Sequence, residues 1–267
     1  MKKIRHKSLS YKLQGLIFEV RKQLQTGWSE EIYHQALVRL LKDKGISVES
    51  KPHKSIFHRG VEVHVFECDL LVYDKIILEL KVLPFSSFAS THMAQIIHYL
   101  KCWEKDLGIL VNFGPIRAEL ERIVWEEKRI EDYENYEAIK DTMTEHDQMF
   151  LHQVRQVVLT IADQYGVGYP ETMYRKILAI EFQYCGLNCL MDVVIPAMWN
   201  GSKLAEYRTD HLLIADDYLV GVRAVIDWPS VYDFARLKTY LNRLGLRFGF
   251  LVNFSKHQLQ IFGVDTS

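Results

Sequence analysis

Apolar residues recur at helical spacing along the first part of the chain, at Leu9, Leu13, Leu16, Ile17, Val20 and Leu24, and predict a helix over 9–25. Thr26-Gly27 breaks it. Ser29 is placed to cap a second helix carrying Ile32, Ala36, Leu37, Leu40 and Leu41, and Gly45 ends that helix. From 46 to 82 the period falls towards two, with turn signals at Lys51-Pro52, Arg59-Gly60 and Asp74-Lys75. Strands are expected near 46–50, 54–58, 61–73 and 76–83. Helical spacing returns over 88–105, the apolar run Leu107–Phe113 reads as a buried strand, and 117–124 as an edge strand. Residues 126–146 are acidic and polar without a strong apolar face, and read as a partly helical linker. The scheme then returns, with helices near 150–165, 170–184 and 231–244 and strands near 187–197, 204–225, 246–254 and 258–263.

The return is literal. Gly27, Glu30, Tyr33, Gly45, Gly60, Asp69, Ala94, Tyr99-Leu100, Gly108 and Leu110-Val111-Asn112-Phe113 reappear 141 residues later. Their partners are Gly168, Glu171, Tyr174, Gly186, Gly201, Asp210, Ala235, Tyr240-Leu241, Gly249 and Leu251-Val252-Asn253-Phe254. A constant offset through so many positions marks a tandem duplication. The expected organisation is a first domain over 1–125, a linker over 126–146 and a second domain over 147–267.

Composition adds little to this except in its distribution. The 267 residues are 48% hydrophobic and 25% charged, enough to build a core in each half, and the net charge is −1, which excludes a globally polyanion-binding chain. Residues 1–60 nevertheless hold 13 Lys/Arg against 5 Asp/Glu, while 104–147 hold 6 against 13. The basic opening suits a nucleic-acid face as well as it suits ordinary solvated helices. The four cysteines, Cys68, Cys102, Cys185 and Cys189, are too few for a disulfide framework and read as buried apolar side chains. With no apolar run of membrane-spanning length and no apolar segment behind the basic N-terminus, a cytoplasmic protein without membrane contact is expected.

The chemistry gathers between 69 and 81. Alternation along the strand puts Glu79 and Lys81 on one face, and the turn at Asp74-Lys75 folds Asp69 back beside Glu79. Two carboxylates and an ammonium on an apolar sheet are costly without a compensating cation. Mg²⁺, with Mn²⁺ as its substitute, fits that need: Asp69 and Glu79 supply two oxygen ligands and the carbonyl of Leu80 a third. Such an ion polarises a phosphoryl oxygen, while Lys81 orients water or neutralises developing charge. Glu30 offers a further carboxylate at the same edge, and Gln95 a hydrogen bond to water or phosphate.

Asp69-x9-Glu79-x-Lys81 resembles the signature of the PD-(D/E)XK nuclease superfamily. Gly27-x-x-Glu30-x-x-Tyr33, with Ala94-Gln95-x-x-x-Tyr99-Leu100 and Gly108-x-Leu110-x-Asn112-Phe113-Gly114, is similar to the GxxExxY family within it. The resemblance spans about 10–125. It implies an α/β fold of two tandem restriction-endonuclease-like domains, each a mixed central sheet flanked by helices. It also implies Mg²⁺-dependent phosphodiester hydrolysis, with catalytic roles for Glu30, Asp69, Glu79, Lys81 and Gln95. DNA is the expected substrate before RNA.

The second copy departs from this pattern. Glu171 and Asp210 persist, but Gly221-Val222-Arg223 stands at the best match to Glu79-Leu80-Lys81, and Gln95 has become Arg236. This half reads as a pseudonuclease domain in which an arginine takes the cation's place beside Asp210. Tyr33, Tyr99, Arg223 and Arg236 are the candidate substrate contacts, the tyrosines chiefly as packing residues with hydroxyls near the site. A non-catalytic nucleic-acid-binding or assembly module of the same fold is the alternative. Either a monomer with an internal pseudo-dimer or a homodimer suits the duplication.

Overall fold

The computed structural model describes residues 5–126, 130–255 and 258–266. Residues 1–4, part of the basic opening, and 127–129, within the expected linker, lie outside the described residues. Two compact units result: one comprises residues 5–56 and 65–126, the other Phe57–His64 and the described residues from 130 onwards.

In the first repeat α1 (Lys7–Leu24) and α2 (Glu30–Asp43) form where the 3.6-residue spacing places them. They bury Leu13, Leu16, Ile17, Val20, Tyr33, Leu37 and Leu41 against the sheet. Ser29 holds the N-cap position of α2 in an extended conformation, but its hydroxyl makes no capping bond. The strands are β1 (Val48–Ser50), β2 (His53–His58), β3 (Val61–Glu67), β4 (Leu70–Val72) and β5 (Ile76–Lys81). After them come α3 (Ser90–Cys102), β6 (Leu107–Asn112) and β7 (Glu119–Val124). The sheet runs β1-β4-β5-β6-β7, with β5 and β6 parallel and joined through α3, and the other pairs antiparallel. The strand expected over 61–73 is two strands. It breaks at Cys68-Asp69, where the chain leaves the ribbon β2–β3 for the main sheet, and Lys51 N–H takes the carbonyl of Asp69 at 2.9 Å.

The expected linker contains β8 (Glu131–Asn135), which lies parallel to the last strand of the chain, so the partly helical reading of this segment is corrected. The strand is exposed over Glu131–Tyr133 and half-buried at Glu134 and Asn135, and Ile139 just beyond it is fully buried. The second repeat then follows as α4 (Glu145–Tyr165), α5 (Glu171–Tyr184), β9 (Cys189–Leu190), β10 (Val194–Trp199), β11 (Ser202–Arg208) and β12 (Leu212–Ile214). It closes with β13 (Tyr218–Arg223), α6 (Val231–Leu244), β14 (Phe248–Phe254) and β15 (Gln258–Asp265). The sheet order β8-β15-β14-β13-β12-β9 reproduces the first with one added strand, and β13 and β14 are again parallel. The strand expected over 204–225 is likewise divided, into β11, β12 and β13. The protein is thus α/β, with two mixed sheets flanked by helices.

Both repeats are locked by the same device. Tyr33 donates its hydroxyl to the carbonyl of Gln25 at 2.5 Å and stacks on Phe113, ring centroids 4.5 Å apart. Tyr174 does the same with Gly166 at 2.8 Å and Phe254 at 3.9 Å. Tyr33 is completely buried, and its hydroxyl closes the α1–α2 turn.

Asp147, buried at the start of α4, completes a capping box with Thr144 and accepts hydrogen bonds from the Tyr218 hydroxyl at 2.7 Å and Arg247 at 2.7 Å. Burial raises its pKa, but these donors outweigh it and hold the carboxyl well below the usual range. The stabilisation is therefore present above the unfolded pKa and is lost as pH falls towards the folded one. Asp147→Asn is expected to lower stability at neutral pH by about 2 kcal/mol, and its deficit against wild type shrinks below about pH 4. Urea titrations of both proteins between neutral and acid pH measure this.

Candidate active site

The site lies where β5 runs parallel to β6. Inward positions of β5 are apolar, and Glu79 and Lys81 stand on the alternate face. Asp69 precedes β4, whose Leu70 pairs with Leu78, so its carboxylate meets the far end of β5. There Oδ2 of Asp69 accepts the backbone N–H of Leu80 at 2.7 Å. The carbonyl of Asp69 lies 3.2 Å from Nε2 of buried His34, which faces it from α2. Lys81 Nζ donates to Oε1 of Glu79 at 2.6 Å.

Among the described residues the second oxygen of Glu79, which is buried, has no hydrogen-bond partner. Burial pushes this carboxyl up to about 7, the charge of Asp69 adds to the effect, and Lys81 opposes it. Glu30 opens α2 half-buried at the same place. Burial raises its carboxyl, Lys81 lowers it and Asp69 raises it again. Burial works against the Lys81 ammonium, yet the charge of Glu79 and its hydrogen bond keep its pKa above the ordinary value.

Gln95 and Tyr99 sit one turn apart on α3, and the Gln95 amide donates to the Tyr99 hydroxyl at 2.8 Å. Tyr99 is buried, with ring edges against Phe66 and Trp103, and feels the charges of Glu79 and Asp69. Glu30, Asp69, Glu79, Leu80 and Lys81 are thus brought together, with the Gln95–Tyr99 pair alongside. Sequence reasoning missed two supports. One is His34. The other is Asn112, whose side-chain oxygen accepts the N–H groups of Leu83 at 2.8 Å and Gly114 at 3.0 Å while its amide donates to the carbonyl of Phe85 at 2.9 Å. Asn112 was visible as a repeated residue, and its buried polar side chain at a strand end was the signal.

Asn253 repeats that clamp, accepting from Val225 N–H at 3.0 Å and donating to the carbonyl of Asp227 at 3.1 Å. The chemistry in front of it differs. β5 sets Glu79 opposite Leu110 and Lys81 opposite Asn112, whereas β13 sets Gly221 opposite Leu251 and Arg223 opposite Asn253. Gly221 therefore takes the place of Glu79, and Arg223 that of Lys81, one position later than the repeat offset. The extra residue is absorbed beside Asp210, where His211 is fully buried. A Cβ on residue 221 would lie 3.0 Å from Nε2 of His211, so the imidazole covers the position from which Glu79 projects. Its Nδ1 lies 2.8 Å from the Thr209 hydroxyl and 3.0 Å from Asp210. His211 was not identifiable from the sequence, because the constant offset hides a one-residue insertion.

Arg223 is buried. Its Nε donates to Asp233 at 2.6 Å, and its Nη1 lies 2.8 Å from Glu171 and 3.3 Å from Asp210. Arg236 reaches both oxygens of Asp210, at 3.0 and 3.1 Å. Burial alone would raise the Asp210 carboxyl, but His211 and Arg223 hold it far below its ordinary value. Two guanidiniums answer the carboxylates here, against a single lysine in the first repeat.

Several basic residues of the opening segment are already committed. Arg21 turns inward and donates to the carbonyl of Pro115 at 2.7 Å, Lys51 pairs with Glu31 at 2.6 Å, and Lys54 donates to the carbonyl of Cys102 at 2.7 Å. Cys68, Cys102 and Cys189 are buried free thiols, whereas Cys185 is exposed, against expectation. Among the described residues no group of three or more His, Cys, Asp or Glu side chains is assembled for a metal. No helix among them is long and apolar enough to cross a membrane.

A comparison with curated proteins found no match. Among solved structures, the crystal structure of SSO0001 is 23% identical over 37% of this chain and 52% of its own length, so the chain spans about half of it, with a TM-score of 0.32. The model of the PD-(D/E)XK nuclease superfamily matches twice, over residues 7–123 and 148–262. With both repeats matched over most of its length, the chain belongs to the PD-(D/E)XK nuclease superfamily.

Proposed function

We propose that the protein is a divalent-metal-dependent nuclease that hydrolyses phosphodiester bonds in DNA, with one active site in the first repeat. The observation that carries this reading is the unpartnered buried oxygen of Glu79 beside Asp69. A buried carboxylate with one free oxygen costs several kcal/mol unless something binds it, and hard oxygen donors of this kind suit Mg²⁺ or Mn²⁺. Asp69 and Glu79 would hold the ion, with the Leu80 carbonyl as a third donor. When bound, it supplies charge neutralisation at the scissile phosphate and lowers the pKa of water.

The chain's own groups prepare this place. The N–H of Leu80 and the contacts to the Asp69 carbonyl fix that residue's orientation. Lys81 holds a positive charge at the carboxylates, ready to face a phosphoryl oxygen. Glu30 adds negative charge on the α2 side and is placed to accept a proton or fix a water. Gln95, oriented by Tyr99, offers a donor to substrate. The Gly-x-x-Glu-x-x-Tyr arrangement supports placing the protein in the GxxExxY family.

The second repeat favours a further reading, in which this half has kept the fold and lost the chemistry. With Arg223 and Arg236 spent on Asp210, Glu171 and Asp233, the arginines act as internal counter-ions rather than substrate contacts. Were the first repeat inert as well, the protein would be a nucleic-acid-binding module of the same fold.

Incubation of single- and double-stranded DNA and RNA with Mg²⁺ or Mn²⁺ tests the enzyme. Wild type is expected to cleave DNA, and Lys81→Ala and Glu79→Gln to lose roughly 10²–10³ in rate. Equal background in all three proteins, with salt-sensitive binding retained, would establish the binding module instead. The asymmetry of the repeats has its own readout. Arg223→Ala strands buried carboxylates and is expected to cost about 3 kcal/mol or more in urea unfolding. Glu79→Gln in metal-free buffer removes an under-compensated charge and is expected to change stability by less than about 1 kcal/mol.

A further inference from the structure

The two-stranded ribbons β2–β3 and β10–β11, each separate from the main sheet of its repeat, are the same device in two settings. Each turns on a pair of positive-φ residues, Arg59-Gly60 at 47° and 80° and Asn200-Gly201 at 46° and 77°. The first tip, Phe57–His64, belongs to the second compact unit. There His58 is 3% exposed, with Nδ1 2.8 Å from the Tyr165 hydroxyl, and Val63 is 1% exposed. Arg59 grips the Glu181 carboxylate at 2.5 and 3.0 Å and lies 3.3 Å over the Tyr184 ring. At the same positions of the second ribbon, Trp199 replaces His58 and is 69% exposed, and Leu204 replaces Val63 and is 74% exposed. Large apolar side chains thus stand in water at the two places that the first ribbon buries.

The helix face that receives the first tip also has its counterpart. Tyr165, Glu181 and Tyr184 correspond to Leu24, Leu40 and Asp43 in the first repeat. A groove of about 390 Å³, whose lining includes Glu31, Gln35, Val38, Arg39 and Lys42, shares Asp43 with these positions. Val38 and the aliphatic stems of Arg39 and Lys42 offer apolar surface to an indole and a leucine.

We propose that the Trp199–Leu204 tip of one molecule docks on the α2 face of a second copy of this chain, head to tail. The occupant follows from an arrangement already present: one chain contains a ribbon tip of this type seated on a helix face of this type. Tip and face are different patches, so the contact is heterologous, and successive copies build a ring or an open chain rather than a closed pair.

Sedimentation velocity of the full chain from about 1 to 100 μM tests this. Wild type is expected to gain mass with concentration. Leu204→Glu, a change at an exposed position, is expected to weaken association roughly 30-fold with unchanged circular dichroism. Arg39→Asp/Lys42→Asp disables the face and is expected to do the same. Mixing the two variants is the decisive arm, because each retains the half that the other lacks: the expected product is a one-to-one dimer that grows no further. A wild type that stays monomeric throughout overturns the proposal, as does association indifferent to Leu204→Glu. A mixture that fails to pair points to tip-to-tip contact and also overturns it. So does quenching of Trp199 by added DNA without any self-association, which would make the tip a nucleic-acid contact.

Discussion

The carboxylate of Glu79 is the constraint around which the first repeat is arranged. It projects from a strand buried on its other face, shares its surroundings with Asp69 and Glu30, and among the described residues has only Lys81 as a directly bonded cation. A core of this kind would be more stable with an apolar residue there. The sheet keeps the group nonetheless, and fixes its neighbours with backbone contacts, since Leu80 N–H orients Asp69 and the Asn112 clamp sets the chain leaving β5. Negative charge held in place without full compensation is costly, and that cost is carried by the packing of the repeat as a whole.

The second repeat shows the same frame relieved of that constraint. Its tyrosine stack, asparagine clamp and parallel central pair are retained, so none of these depends on the charged cluster. What changes at the site is a one-residue insertion beside Asp210 and a few side chains. Glycine replaces the glutamate, a buried imidazole covers the vacated volume, and two guanidiniums neutralise the remaining acids. The planar guanidinium of Arg223 bonds along two edges at once, to Asp233 and to Glu171, which an ammonium at the same position could not do with one fixed geometry.

Most of the fold was legible in the sequence because both its periodicities are strong and the chain states them twice. The helices fell where Leu13, Leu16, Ile17 and Val20 or Leu37 and Leu41 required, and the central strands where apolar runs met turn residues. Two features escaped. β8 is an edge strand of polar residues whose pairing with β15 is non-local, so no local pattern announces it. The breaks at Asp69 and near Asp210 occur inside strand-like sequence, because the chain changes partner there without changing composition. Of the site, the Asp69, Glu79 and Lys81 cluster followed from alternation and a short turn, since both are local rules. His34 and Tyr33 did not separate into support and packing, because one helix face presents both and only burial and hydrogen bonding distinguish them.

The one-residue slip beside Asp210 shows why the difference between the two repeats is not a matter of substitution alone. Before the slip, the two copies superpose at the repeat offset, and the carbonyl of Asp210 is met by Arg175 as that of Asp69 is met by His34. Past it, β12 and β13 are displaced together by one position, which keeps their mutual pairing and the Asn253 clamp intact. The displacement brings His211 into the interior over residue 221, where a glutamate side chain would collide with the imidazole. Restoring a carboxylate at 221 alone would therefore not recreate the first site. The inserted residue, the glycine beneath it and the arginines around Asp210 form one packed and neutralised solution, and each of them makes the others harder to reverse.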